Sequence, residues 1–145
     1  MNEIKSLFTQ QSYDKLLEKL RSNSPTELLE GLDLLNLTFQ YGTKQSLKTF
    51  PWLPTVNQLT NFLIQDFPQH YFTLILKSIF SSLEIAENLL NQFMSLGIFP
   101  NLQTLISKMT KSNEDQEVFE NIIKVLTIIH NLNPEALYTN QGIDL

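Results

Sequence analysis

Two stretches of this chain match each other 46 residues apart, and no other feature narrows the fold as much. PWLPTVNQLTNFL at 51–63 superposes on GIFPNLQTLISKM at 97–109: Pro54 meets Pro100, Leu59 meets Leu105, and apolar residues coincide at most inward sites. The same landmark returns at 133–143, NPEALYTNQGI, after 45 more residues. Self-similarity at this period marks a stacked helical array, in which each unit is too small to bury its own apolar face and is completed by its neighbour.

Each unit reads as a short helix, a medium helix and a long one. Tyr13, Leu16, Leu17 and Leu20 recur at i, i+3, i+4 and i+7, which predicts a helix over 12–21, with Ile4, Leu7 and Phe8 as a shorter one before it. Ser24-Pro25-Thr26-Glu27 predicts a helix start, with Ser24 as the cap, Pro25 at the first position and Glu27 reaching back. That helix runs to about Phe39 on Leu28, Leu29, Leu32, Leu35 and Phe39, and Gly31 inside it calls for a close approach by another helix. Residues 43–50 predict a short helix with Leu47 and Phe50 inward, then Pro51 and Pro54 turn a corner and Pro54 opens the next helix.

The most continuously apolar long segment, DFPQHYFTLILKSIFSSL at 66–83, is the predicted central helix. Phe72, Leu74, Ile75, Leu76, Ile79, Phe80 and Leu83 cover far more than one stripe, so several neighbours must contact it. Asp66 to Gln69 predicts a second capped start. A short helix over 87–96 ends at Gly97, another follows Phe99-Pro100, and a capped start at 113–116 leads into an apolar helix over 118–132. A last short helix is expected at 136–140.

At 145 residues the chain is long enough for one domain burying roughly 70% of its unfolded surface, and needs no staple. A net charge of -5, with no Lys/Arg run, argues against nucleic acid as the ligand, because phosphate binding rests on many cationic contacts. The lack of cysteine removes disulfides, thiol chemistry and Cys-based zinc sites. The first residues, MNEIKSLFTQ, carry no secretory pattern, and no stretch reaches a membrane-spanning length, so the expectation is an intracellular, cytoplasmic protein without membrane insertion.

The stretches Leu35-Asn36-Leu37, MSLGIFPNLQTLI at 94–106 and NPEALYTNQGI at 133–143 resemble an armadillo-type repeat, and more loosely a HEAT repeat. The resemblance implies an all-α fold, an armadillo-like right-handed superhelix of about three stacked three-helix units spanning one domain, 1–145. The units fall at about 1–41, 42–84 and 85–132, with a partial fourth at 133–145. A non-repeating helical bundle is the alternative. It also implies that the long third helices line a concave groove holding a partner segment.

Each long helix carries polar residues at helical spacing: Asp33, Asn36 and Gln40; Thr73, Lys77 and Ser81; Asn121, Lys124 and Asn131. Any amphipathic helix shows such a stripe, so plain solvated surface accounts for them equally well. Trp52 between two prolines is either an exposed anchor for a partner or a plug closing a helix pair, and the burial habit of tryptophan favours the plug.

Nothing in the chain points to catalysis, a cofactor or a metal. His70 and His130, the only histidines, have no His, Asp or Glu at i+3 or i+4, as a helical metal motif requires, and the acidic pairs sit where helix N-termini favour them. The expected function is a non-catalytic protein-protein interaction module or scaffold that binds a protein or peptide. The alternatives are a small structural subunit docking through its open C-terminal end or outer flank, with self-association at that end, and more remotely a small helical enzyme or a lipid-surface binder.

Overall fold

The computed structural model describes residues 6–109 and 113–136. Among them are seven α-helices and no strand: α1 Gln10–Leu20, α2 Pro25–Tyr41, α3 Trp52–Phe62, α4 Gln69–Ile85, α5 Leu90–Ser95, α6 Ile98–Lys108 and α7 Asn113–Leu132, with 3-10 turns at Ser6–Phe8 and Glu87–Leu89. The predicted helix at 136–140 and the partial fourth unit past residue 136 lie outside the described residues, as does Ile4.

The 46-residue recurrence has a structural counterpart. The helices α3 and α6 begin 46 residues apart, are both 11 residues long, and carry Pro54 and Pro100 as their third residue, where a missing N–H costs nothing. They lie against each other: the Asn101 side-chain amide donates to the Thr60 carbonyl at 2.8 Å, and Lys108 donates to the Ile64 carbonyl at 3.2 Å. The long helices α2, α4 and α7 form a row, with α4 packed on both α2 and α7. The helix α1 packs on α2 and α3, so α1, α3 and α6 make a second row behind the first.

The central position of α4 follows from its composition. Tyr71, Phe72, Ile75, Leu76, Ile79 and Leu83 are all buried, each worth about 1.5–3 kcal/mol in transfer free energy. Two of its buried hydroxyls are satisfied locally or across the seam: Ser82 donates to the Ile79 carbonyl at 2.7 Å, and the Ser78 oxygen accepts from Asn36 at 2.9 Å. The Tyr71 hydroxyl reaches the Pro25 carbonyl at 3.0 Å and ties the start of α4 to the start of α2. At Gly31 a Cβ would stand 2.9 Å from the Lys19 Cβ and 3.3 Å from the Leu20 amide nitrogen, so the bare backbone there lets α1 close on α2.

Three local expectations change. Residues 43–50 form successive turns, not a helix. Thr43 and Ser46 bond each other through backbone and hydroxyl at 2.8 and 3.1 Å, and the residue before Pro51 is barred from continuing a helix, although Leu47 and Phe50 still reach the core. The helix α3 begins at Trp52, two residues before the proline expected to open it. Ser24 stands at the N-cap of α2 with Pro25 in the first turn, as expected, but its side chain makes no capping bond, and Asp66 does not cap α4. Ser22 donates to Glu27 at 2.7 Å and accepts from the Ser24 amide, whereas Asp66 pairs with Lys108 at 3.2 Å and α4 starts at Gln69. Among the described residues a side-chain cap forms at Thr9, whose hydroxyl accepts from the Ser12 amide at 3.1 Å.

Tyr13 gives the seam between α1 and the 43–50 turns a pH limit. It is fully buried, donates its hydroxyl proton to the Ser46 carbonyl at 3.2 Å, and burial holds its pKa above the ordinary tyrosine value of 10.0. Below pH 10 both folded and unfolded chains keep this proton; above it the unfolded chain loses it first, so stability falls. Denaturant titrations of wild type and Tyr13→Phe should therefore converge above pH 10, after the variant starts about 0.5–1.5 kcal/mol lower at neutral pH. Parallel curves across that range would remove Tyr13 as the cause.

Candidate functional site: a groove across the long helices

Where α2, α4 and α7 run side by side, their outer faces leave an open depression of about 440 Å³. The helix α2 contributes Asn36 and Gln40, α4 contributes Leu74, Lys77, Phe80 and Ser81, and α7 contributes Asn121 and Lys124. Leu74 and Phe80 are half-buried and form an apolar floor, while Gln40, Lys77 and Lys124 are exposed at its mouth.

Six of the nine polar residues predicted for a groove thus line one depression: Asn36, Gln40, Lys77, Ser81, Asn121 and Lys124. Thr73 is buried and lines a neighbouring depression with Gln69, His70 and Glu117. Asp33 and Asn131 are exposed on the same helices but do not line it. Helical spacing could not separate these cases, because α4 buries residues on several sides and Thr73 falls on one of them.

Two of the six do structural work as well. The Asn36 side-chain amide donates to the Leu32 carbonyl at 3.0 Å, the Leu74 carbonyl at 3.1 Å and the Ser78 hydroxyl at 2.9 Å, which pins α2 to α4. Asn121 is buried and donates to the Glu117 carbonyl at 2.8 Å. The lysines differ. Among the described residues ion pairs join Lys19 to Glu30 at 2.7 Å and Lys108 to Asp66 at 3.2 Å, and neither Lys77 nor Lys124 has such a partner. The Lys19 ammonium is held above the usual lysine range, first by its hydrogen bond to Glu30.

Trp52 sits half-buried in an aromatic cluster. Its ring stacks on Phe39 at 5.4 Å and meets Phe50 edge-on at 4.7 Å, and Phe50 in turn meets Tyr13 at 5.0 Å. Those contacts close the seam between α1, α2 and α3. His70 and His130 are both exposed, on α4 and α7. Among the described residues no cluster of three His, Cys, Asp or Glu is placed to hold a metal ion, and no helix is long and apolar enough to cross a membrane.

A second depression, of about 460 Å³, has no counterpart in the sequence reading. It lies where the turn after α1 meets the turn after α3, between Arg21, Ser24, Phe62, Phe67 and Tyr71. Its walls come from turns distant in sequence, so no local motif announces it. Compared with protein-family models, curated proteins and solved structures, the chain matches none.

Proposed function

We propose that this chain is a non-catalytic protein-interaction module, an armadillo-like right-handed stack of about three three-helix units whose groove holds a segment of a protein partner. One observation carries this reading: three neighbouring long helices each turn polar side chains into a single uncovered depression with an apolar floor. An extended segment or a partner helix fits such a surface, with apolar anchors on Leu74 and Phe80 and polar contacts at the rim. The equal lengths and 46-residue offset of α3 and α6 support the repeat architecture. Docking through the outer side of α7 is the second reading, favoured by Phe119 and Ile123, exposed to 38% and 58% one turn apart.

Ser81→Trp tests the groove, because it fills the depression without changing charge or touching the α2–α4 hydrogen bonds. Wild type and variant, both shown folded by circular dichroism, are used to capture partners from the native source. A partner held by wild type and lost by Ser81→Trp supports the groove. A partner held equally by both, and released by Ile123→Asp, moves the interface to the side of α7. Asn36 is unsuitable for this purpose, since its replacement would loosen the seam itself.

A further inference from the structure

We infer that the groove takes a short acidic segment, with carboxylate side chains set against Lys77 and Lys124 and an apolar side chain on Leu74 and Phe80; this rests on the groove reading above. The chain has 15 acidic residues against 10 basic ones, yet the depression is lined by two lysines and no acid. Both ammonium groups are exposed and without an ion-pair partner among the described residues, so neither must give up an internal contact to meet a ligand. Of the remaining polar lining, Asn36 and Asn121 spend their amide donors on internal acceptors, while Gln40 and Ser81 offer an amide and a hydroxyl to a peptide backbone without competing for charge.

The surroundings limit the length of the anion. Asp33 on α2, Glu84 on α4, and Glu117 and Glu120 on α7 are exposed outside the depression, so every long helix carries an acid beyond it. A polyanion such as a nucleic acid would run its phosphates past these carboxylates, whereas a segment with one or two central carboxylates and an apolar neighbour would not. Complementarity of this kind governs encounter and partner choice more than total affinity.

The test is selection of a random-peptide display library on the wild-type protein, followed by binding titrations of the enriched peptides to variants. The expected result is an excess of Asp and Glu beside aliphatic or aromatic residues, affinity that weakens with added NaCl, and a loss of about tenfold in Lys77→Gln/Lys124→Gln, as two partly exposed charge pairs imply. The control Lys44→Gln/Lys48→Gln, which removes the same charge from exposed positions in the 43–50 turns, should bind as wild type. Enriched peptides without an acidic bias, equal binding by the groove double variant, or no enriched peptide would overturn the inference. In the first two cases Ser81→Trp separates the claims: peptides it abolishes leave the groove reading standing, and peptides indifferent to it remove both. Tighter binding of a single-stranded oligonucleotide than of any selected peptide would also overturn the inference.

Discussion

Ile79→Asp should leave the chain unfolded at room temperature. Ile79 is fully buried in α4, the helix packed on both α2 and α7, so the new carboxylate would have neither water nor a partner. The loss should exceed about 4 kcal/mol, a large share of the roughly 5–15 kcal/mol that holds a domain of this size together. Circular dichroism would show the helical signal gone, or a transition shifted far down in temperature. An unchanged melting curve would mean that α4 does not occupy the centre. Ile79→Val separates burial from charge, and should cost only about 0.5–1.5 kcal/mol.

Phe93→Ala should cost about 3–5 kcal/mol and lower the melting temperature by roughly 10 °C. Phe93 is fully buried on α5, a helix of only six residues preceded by a 3-10 turn. So short a helix has no stability of its own and depends on tertiary packing, here against α3, to stay formed. The expected consequence is local: amide exchange should quicken over α5 before it does so in α4. Uniform acceleration across both helices would show instead that α5 and α4 open as one unit. A melting temperature within a degree or two of wild type would show that α5 is not held by this ring.

The parts of this molecule legible in the sequence are those set by periodicity and proline placement. Tyr13, Leu16 and Leu20 gave the buried face of α1, Pro54 and Pro100 gave the offset of α3 and α6, and the breadth of the apolar surface over 66–83 gave the centre. What escaped was decided by contacts between residues far apart. Asp66 abandons a cap for Lys108, and Glu27 is claimed by Ser22, so two capping motifs did not form. Leu47 and Phe50 are buried as their spacing requires, but by turns, because Pro51 cuts the segment too short for a helix. Within the groove, amphipathic spacing found Lys77, Ser81 and Lys124 but could not tell that Thr73 is buried at a neighbouring depression or that Asn36 spends its amide on α4. Polar residues on a helix buried from several sides are ambiguous until its neighbours are in place.

The stacking of Trp52 on Phe39 gives the chain a built-in optical reporter. It is the single tryptophan, so all indole emission comes from the seam joining α1, α2 and α3, while far-ultraviolet dichroism averages over every helix. Emission and dichroism therefore watch different portions of the fold. Coincident transitions would mark it as one cooperative body, and displaced ones would reveal the order in which its helices come apart.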